Sequence, residues 1–405
     1  MDLRLPDTLT GHRKRVPHRT DRTVALYVCG PTVYDRAHVG HGRTYLYFDV
    51  ARRFLEAEGL RVRHVMNITD FEDKIDARAR ELGIGWRALA RREERSFLRD
   101  LDALGVRRPS WTPRASEFVP RMIRVGERLA RTGRVRVDGD EWIYTPPERA
   151  PSANFSTDRQ LAAHAVDEPG HPFPTRPGPA GEFLIWRRQQ PPKASWPSPW
   201  GPGAPGWHLE CYAMAERYLG LPVDLHGGAR DLIYPHHYAE NEIALALRGT
   251  RFSRVFLHTA FVLLEGTKIS KSLGNLVPLR SVLDEVGPGA LRWYLLGRPL
   301  DERLPWDATD LARAAEAYRA LRGTVGSFLR ASAGSRASAA SVRALAEGVR
   351  RDLADGLAVA RAYRRLERWA RRAERPGLEH VAGGERATAR AAFRAIEERL
   401  GLPLL

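Results

Sequence analysis

Hydrophobic and polar positions near the start of the chain follow the order strand, loop, helix and strand. Residues 24–29 form a short apolar run, Gly30-Pro31-Thr32 interrupts it, and apolar residues recur at helical spacing from about Gly42. Arg61–Ile68 then alternates between polar and apolar residues, as a strand does. This order predicts the opening unit of a parallel α/β sheet.

The middle of the chain changes character twice. Residues 76–132 carry apolar positions three and four apart, which predicts helices. Residues 133–205 contain short strand patterns such as Glu141–Tyr144 and a stretch dense in proline and glycine from 168 to 206. We therefore expect an inserted, loop-rich module between two halves of the sheet.

The α/β pattern resumes after this insertion. We predict a helix over His208–Tyr218, a strand over Val223–Leu225 and, beyond Gly227-Gly228, a further helix. That second helix is expected to begin at about Pro235. The segment Arg254–Leu264 is apolar enough for one buried strand or a pair of strands.

The last part of the chain is predicted to be helical. Residues 280–330 carry helical spacing, and the small polar residues 331–341 read as a linker. Beyond them we predict an amphipathic helix that closes at Trp369, followed by a last helix from about Arg386 to Leu400. The apolar positions of the amphipathic helix are Leu345, Val349, Leu353 and Leu357.

Composition excludes several classes of protein. Charged residues make up 28% and hydrophobic residues 43%, which is the balance of a globular protein. No apolar run approaches the roughly 18 residues that span a bilayer, and the charged start has no apolar block behind it, so we expect neither a membrane protein nor a secretory signal. Cys29 and Cys211 are the only cysteines, which suits a reducing cytoplasm and a cytoplasmic protein.

The formal net charge of +16 favours polyanionic partners. Almost all of the basic residues are arginine, however, and genome composition explains such a skew equally well. Lysine is the exception, because only five occur and two of them, Lys268 and Lys271, lie in one short segment. Lysine retained where arginine is the default indicates a need for a compact ammonium on a flexible stem.

Two histidines follow the first predicted strand, in His38-Val39-Gly40-His41. A loop that leaves a parallel strand and opens a helix offers N–H groups and a positive dipole to a nucleotide. Gly40 and Gly42 would let the backbone approach phosphate or adenine, and both imidazoles could donate to phosphate oxygens. Taken alone, histidines at this spacing are more often surface or metal-binding residues.

A second polar loop, Gly266–Asn275, carries Lys268 and Lys271 together with two serines. Two ammonium groups and two hydroxyls can neutralise charge on a departing pyrophosphate. On its own this loop is better explained as a solvated surface segment. The two loops together are more informative, because each belongs to a different half of the split sheet.

The chain resembles the class I aminoacyl-tRNA synthetases, and especially the cysteinyl-tRNA synthetases. His38–His41 matches the HIGH signature of that class, and Lys268–Ser272 matches its KMSKS signature. The resemblance runs in order over about residues 20–330. Its further segments are Tyr27–Asp35, Asn67–Asp70, Ser195–Gly201, Pro205–Cys211, His226–Gly228 and Pro235–His237.

The fold class expected from pattern and resemblance is α/β, with a Rossmann-like parallel sheet split by an insertion and followed by an all-helical C-terminal bundle. The expected units are the first catalytic half, an inserted connective module, the second catalytic half, a helical stem-contact region and a helical bundle. They cover residues 1–132, 133–205, 206–279, 280–330 and 331–405.

Cys29, Cys211, His236 and Glu240 form a plausible zinc set of two thiolates, an imidazole and a carboxylate. A lone cysteine is more often a small core residue, but both cysteines fall where the cysteinyl enzymes place zinc ligands. The resemblance thus implies one Zn²⁺ per chain, to which the thiolate of substrate cysteine adds. His236 and Glu240 share a helical face; a two-residue insertion relative to the family would make Glu242 the ligand instead.

The resemblance also implies a two-step reaction. Cysteine and ATP, accompanied by Mg²⁺, give cysteinyl-adenylate and pyrophosphate, and the adenylate then acylates the terminal adenosine of a tRNA, expected to be tRNA(Cys). The implied catalytic residues are His38, His41, Lys268 and Lys271, and the implied ATP contacts also include Gly40 and Asp231. Thr69 and Trp207 are implied to line the amino-acid pocket.

Three functions remain open at this point. The first is a short cysteinyl-tRNA synthetase whose arginine-rich tail binds RNA phosphates. The second is a cysteine ligase that resembles the mycothiol-pathway enzyme and acts on an amino sugar such as glucosaminyl-inositol, although that family places proline where Val33 follows Thr32. The third is a non-catalytic paralog that binds RNA, which the intact signature loops disfavour. We expect no membrane partner and infer no obligate protein partner.

The tail departs from the family pattern. Its nearest match to the expected Asp-Asp-Phe-Asn signature is Arg351–Gly356, and the chain ends soon after the bundle, so we expect a bundle that is truncated relative to the family. The arginines expected to contact RNA are Arg350, Arg351, Arg361, Arg364, Arg365, Arg368, Arg371 and Arg372.

Overall fold

The computed structural model describes residues 2–148, 154–155, 181–269, 275–330, 336–373 and 383–405. Its central sheet has the strand order β10-β9-β3-β4, with every neighbouring pair parallel. These strands are β3 (Thr23–Val28), β4 (Arg61–Met66), β9 (Leu225–Ala229) and β10 (Phe256–Thr259). No helix within the described ranges has the length and apolar character needed to cross a bilayer.

The strand β3 is buried along its whole length, which explains its uninterrupted apolar sequence. Its alternate side chains face two separate hydrophobic cores: Leu26 and Val28 belong to one, and Tyr27 and Cys29 to the other. The two halves of the chain meet where β3 pairs with β9. The split parallel sheet predicted from the sequence is therefore confirmed.

Helices surround this sheet in both halves. In the first half, α1 (Val39–Ala57) connects β3 to β4, and α2, α3 and α4 follow β4 over Asp73–Glu81, Trp86–Ala103 and Ala115–Ala130. In the second half, α5 (His208–Tyr218) precedes β9. A 3₁₀ turn (Arg230–Leu232) and a short π-helical segment (Ile233–His237) then lead into α6 (Tyr238–Arg248).

The strand predicted over Val223–Leu225 lies too early in the chain. The observed strand, β9, begins at Leu225 and includes both Gly227 and Gly228. A Cβ atom at Gly227 would lie 2.0 Å from the carbonyl oxygen of Leu257 on the neighbouring β10. Glycine is required here by close approach of two strands. The glycine pair therefore does not mark the start of a loop, as the sequence pattern had indicated.

The described part of the insertion is more regular than the loop-rich module expected. A four-stranded antiparallel sheet has the order β5-β6-β7-β8. The strands are β5 (Val135–Asp138), β6 (Glu141–Tyr144), β7 (Phe183–Arg188) and β8 (Gly203–Pro205). Of these four strands, the sequence pattern predicts only β6 explicitly.

Two small sheets complete the strands. The segment Arg254–Leu264 is a strand pair, since β10 is followed by β11 (Val262–Leu264), which belongs to a different sheet. That sheet also contains β12 (Thr267–Lys268) and β13 (Leu304–Pro305). Near the start of the chain, β1 (Arg4–Pro6) pairs with β2 (Arg13–Arg15).

Five helices follow residue 278 within the described ranges: α7 (Leu279–Leu295), α8 (Ala308–Arg330), α9 (Arg336–Ala354), α10 (Val359–Ala373) and α11 (Gly383–Leu400). The linker predicted over 331–341 is wrong from Arg336 onward, because α9 begins there, and residues 331–335 lie outside the described residues. Alanine, which is abundant in this segment, is a strong helix former as well as a small linker residue.

The single amphipathic helix predicted up to Trp369 is two helices, α9 and α10. The turn between them contains Gly356 and Leu357, whose φ angles are +79° and +52°. A left-handed backbone ends a helix, although the Leu357 side chain stays buried in the core as its spacing predicted.

Helix α1 is joined to the C-terminal helices by buried ion pairs. Asp49 on α1 accepts from Arg292 of α7 at 2.7 Å, and the same Arg292 nitrogen donates to the carbonyl of Leu400 at 2.7 Å. Glu58, just beyond α1, pairs with Arg350 and Arg399. The helix that carries the histidine signature is therefore fixed against the tail.

His64 on β4 gives the fold a predicted sensitivity to acid. Its imidazole is buried, neither ring nitrogen has a hydrogen-bond partner among the described residues, and burial lowers its pKa from 6.5 to about 3. The unfolded chain therefore takes up this proton below pH 6.5 while the folded chain resists it down to pH 3, so stability is lost as the pH falls between these values. At pH 5 the loss is about 2 kcal/mol relative to pH 7.

We expect His64→Leu to remove this contribution. Urea unfolding of both proteins at pH 7 and pH 5 should show a pH-dependent loss of free energy that is smaller in the variant by about 2 kcal/mol. An equal loss in the two proteins would mean that His64 does not contribute to the acid sensitivity.

Candidate active site

A cavity of about 380 Å³ opens at the carboxyl ends of the central strands, where ligands bind in open α/β sheets. It lies beside the amino end of α1 and reaches to β11. Among the residues singled out from the sequence, those that line it are Cys29, His38, Gly40, His41, Trp207 and Asp231.

The two signature histidines form the amino-terminal cap of α1. The backbone N–H of Gly40 donates to Nδ1 of His38 at 3.1 Å, and the N–H of His38 donates to Nδ1 of His41 at 3.3 Å. This is a reciprocal capping box built from imidazoles, whereas serine and glutamate usually fill these places. The two rings lie close together, with centroids 3.8 Å apart.

This cap fixes the tautomer of both rings. A neutral imidazole whose Nδ1 accepts a hydrogen bond carries its proton on Nε2. Each histidine therefore has an N–H donor at Nε2, and both histidines line the cavity. The hydrogen bonds of the cap fix the orientation of both rings. The arrangement suits donation to an anionic ligand such as phosphate.

The two glycines of the loop have different roles. A Cβ at Gly40 would lie 2.9 Å from the His38 ring, so glycine leaves room for the cap. A Cβ at Gly42 would instead meet Leu279 at 3.0 Å, in the contact between α1 and α7. The expectation that Gly42 lets the backbone approach a nucleotide is therefore wrong, because this residue faces the core.

The four candidate metal ligands come together at the inner end of the cavity. One ligand atom from each of Cys29, Cys211, His236 and Glu240 lies within 4.8 Å of every other, and all four residues are buried. Cys29 follows β3 and Cys211 is on α5. His236 lies in the π-helical segment that leads into α6, and α6 carries Glu240. Residues far apart in the chain thus converge on one point.

The distances fit a tetrahedral zinc ion. Zinc–sulfur bonds of 2.3 Å and zinc–nitrogen bonds of 2.0–2.1 Å place two sulfurs about 3.8 Å apart, and a sulfur and a nitrogen about 3.5 Å apart. The sulfurs of Cys29 and Cys211 are 3.7 Å apart, and Cys211 Sγ is 3.4 Å from His236 Nε2. Both cysteines are free thiols.

One carboxylate oxygen of Glu240 belongs to this cluster, and the other is held by a hydrogen bond from His226. Its Oε1 is 2.9 Å from His236 Nε2 and 3.8 Å from Cys29 Sγ, while Oε2 accepts from His226 Nε2 at 2.8 Å. Glu242, the alternative ligand, accepts instead from the side-chain amide of Asn154 at 2.8 Å. The structure therefore brings Glu240, and not Glu242, to the cysteines.

The charges of the cluster favour a cation. Burial lowers the pKa of His236, but the Glu240 carboxylate and Cys29 together outweigh burial and raise that pKa to about 10. The same two neighbours raise the pKa of His226 to about 9 against the effect of burial. Burial and Cys29 raise the pKa of Glu240, yet the three neighbouring imidazoles lower it to about 2. A divalent ion bound here would replace protons held on the imidazoles.

His226 and His237 make a second, overlapping ligand set with Cys29 and Glu240. His226 Nδ1 lies 3.0 Å from the carbonyl oxygen of Tyr27, so with both nitrogens donating this ring is an imidazolium that orients Glu240. The set with two cysteines offers zinc more sulfur. From the sequence, His226 and His237 are known only as parts of segments that carry the family resemblance. In the structure, His226 lies next to the cysteine cluster because its strand β9 pairs with β3.

The two residues implied to line the amino-acid pocket, Trp207 and Thr69, lie in different surroundings. The Trp207 ring stacks on His236 with centroids 4.0 Å apart, so it is next to the metal cluster and lines the cavity. Thr69 is buried, and its hydroxyl donates to Glu210 at 2.7 Å. Among the described residues, Thr69 does not belong to the lining of this cavity.

The lysine loop begins at the same cavity. Lys268 is on β12, and Ile269, the next residue, lines the cavity together with His38 and His41. Lys271 and the neighbouring serines lie within residues 270–274, outside the described residues. Lys74, on α2, also lines the cavity and was not singled out from the sequence as a site residue.

Comparison with known proteins places this geometry in a family. A family model for the catalytic domain of class I (C) tRNA synthetases matches residues 15–316. The cysteine–tRNA ligase of Anaeromyxobacter sp. (strain K) is 39% identical over 365 residues, which cover 88% of this chain and 74% of that protein. The cysteine–tRNA ligase of Aeropyrum pernix is 39% identical over 79% of this chain and 67% of that protein.

Solved structures give the same fold. Methionyl-tRNA synthetase of Mycobacterium tuberculosis, in complex with methionyl-adenylate, superposes with a TM-score of 0.63 and covers 94% of this chain and 90% of that one. Its sequence identity to this chain is 16%, so this likeness concerns the fold alone.

Proposed function

The chain belongs to the family of class I (C) tRNA synthetase catalytic domains, and from this premise we propose that it is a cysteine–tRNA ligase. It activates cysteine with ATP as cysteinyl-adenylate and transfers the cysteinyl group to the terminal adenosine of tRNA(Cys). The observation that carries the proposal is the convergence of Cys29, Cys211, His236 and Glu240 at the inner end of the cavity that the signature histidines line.

We assign these four side chains as ligands of one Zn²⁺. When bound, the metal supplies a soft Lewis acid that prefers a sulfur ligand to a hydroxyl. Cysteine and serine differ by one atom, and shape alone discriminates such near-isosteres weakly. Trp207 stacks on His236 and lines the cavity beside the cluster, so we assign it to the pocket for the amino acid.

The chain's own polar groups act on ATP, which enters with Mg²⁺. His38 and His41 donate through Nε2 to phosphate oxygens, with the cap holding both rings in place before the reaction. Lys268 and Lys271 neutralise the leaving pyrophosphate, and Asp231 holds the ribose. This chemistry needs positioning and charge stabilisation and no covalent bond to the protein.

Only part of the arginine-rich tail is available for RNA. Arg361 and Arg365 pair with Asp352, and Arg350 pairs with Glu58, so these cations stabilise the bundle. The exposed cations of α10 are Arg364, Arg368, Arg371 and Arg372. We assign phosphate contacts to these exposed residues.

The function is tested by offering cysteine or serine with ATP, and then tRNA or glucosaminyl-inositol in parallel. We expect cysteine but not serine to drive ATP–pyrophosphate exchange, and tRNA to become acylated. Acylation of the amino sugar alone would mean that the acceptor is a small molecule and not tRNA. No exchange with cysteine would contradict the proposal as a whole.

A further inference from the structure

Lys74 is one of the residues that line the cavity of the candidate active site. It is the second residue of α2, and its exposed side chain shares the cavity with His38 and Trp207. The backbone N–H of Lys74 donates to the carboxylate of Glu72 at 2.9 Å, which caps the helix. The next residue, Ile75, is fully buried. The backbone that carries this ammonium group is therefore fixed.

Lys74 has one charged neighbour inside the protein, the Glu72 carboxylate, whose pKa it lowers against the larger effect of burial. Three cations lie around the start of α2, and Asp73 pairs with two of them, Arg187 at 2.9 Å and Lys193 at 3.3 Å. Within the described part of the chain, the Lys74 ammonium makes no ion pair and no side-chain hydrogen bond. An exposed ammonium that lines a cavity and makes no direct ion pair there attracts a ligand of opposite charge.

The residue type supports the same conclusion. Lysine occurs five times in this chain, against a combined total of 65 lysines and arginines. Two of the five, Lys268 and Lys271, belong to the signature loop. A third, Lys193, forms an ion pair with Asp73 of α2. An ammonium donates to phosphate oxygens as a compact point charge, whereas the arginine guanidinium binds through a planar fork of donors.

We propose that Lys74 is a phosphate-binding residue of this reaction, which rests on the proposed function. It binds a phosphate that enters the cavity: either that of ATP and the adenylate, or the phosphate that links the terminal adenosine to the rest of the acceptor RNA. No acid–base step is assigned to Lys74. It acts by holding an anion, and the two sources of the phosphate give different kinetic results.

The test compares Lys74→Gln and Lys74→Arg with a matched control, Lys193→Gln. Lys193 lies on the same side and pairs with Asp73, but it does not line the cavity among the described residues. Three quantities are measured in each protein: the ATP dissociation constant by calorimetry, the rate of cysteine-dependent ATP–pyrophosphate exchange, and the transfer of cysteine to tRNA at several salt concentrations.

We expect Lys74→Gln to lose about tenfold or more in one of the two steps, with partial recovery in Lys74→Arg and little change in Lys193→Gln. Weaker ATP binding or slower exchange identifies the phosphate of ATP. Normal exchange with slower transfer, a higher KM for tRNA and a salt slope smaller by about one identifies the acceptor phosphate.

Unchanged ATP affinity, exchange and transfer in Lys74→Gln would overturn the proposal while leaving the enzyme assignment intact. An equal loss in Lys193→Gln would also overturn it, because the effect would then come from disturbing the start of α2, where Lys193 pairs with Asp73. Failure of the wild-type protein in exchange contradicts the proposed function instead. In that case the ATP dissociation constants still decide whether Lys74 binds the phosphate of ATP, and the affinity for tRNA at several salt concentrations decides for the acceptor phosphate.

Discussion

Cys211→Ser is expected to purify with far less than one zinc per chain and to lose at least about a hundredfold in cysteine-dependent ATP–pyrophosphate exchange. The variant removes one of two sulfurs held 3.7 Å apart. A hydroxyl is a much poorer zinc ligand than a thiolate. Loss of a group that merely supports a ligand already costs about 10- to 100-fold in metal affinity, so loss of a ligand itself should cost more. Metal analysis of protein kept free of chelators provides the first measurement.

A matched pair of glutamate variants makes this result specific. Glu240→Gln and Glu242→Gln change equally buried carboxylates two residues apart on α6. Glutamine at 242 can still accept from Asn154, so we expect that variant to keep its metal, while Glu240→Gln binds it at least about tenfold more weakly. The opposite result would make Glu242 the ligand, and full zinc in Cys211→Ser would end the metal assignment.

The sequence predicts the parts of the site that depend on local pattern. The strand–loop–helix order places His38 and His41 at the start of α1, and two cysteines in the whole chain leave few choices for a sulfur site. Spacing of four residues also favours Glu240 as a partner of His236, and these two side chains do meet. The sequence is thus sufficient to predict a contact when one local element sets the distance between the two residues.

Features that depend on tertiary placement could not be predicted in this way. Lys74 is an ordinary polar residue of α2 until the fold turns that helix toward the cavity. Gly227 resembles a loop glycine because its real constraint, the carbonyl of Leu257, lies on another strand. His226 becomes an imidazolium only through two partners distant in the sequence, Tyr27 and Glu240.

The capping role of the histidines has a consequence for how the catalytic step can be tested. An alanine at position 38 would remove both the Nδ1 cap and the Nε2 donor, and loss of an N-cap alone costs about 1 kcal/mol of stability. Asparagine is among the best N-cap residues and places an acceptor near the position of Nδ1, without any group near Nε2. Glutamine at position 41 can likewise accept from the backbone N–H of residue 38.

We therefore expect His38→Asn to fold with nearly wild-type stability and to lose about 10²- to 10³-fold in ATP–pyrophosphate exchange, as removal of one preorganised donor does. His38→Ala should lose a similar factor in rate and, in addition, about 1 kcal/mol in unfolding free energy. Urea unfolding and exchange kinetics on the same samples separate the two effects. Exchange near the wild-type rate in His38→Asn would reduce this histidine to a helix cap, and the phosphate contacts would then have to come from His41 and the lysines.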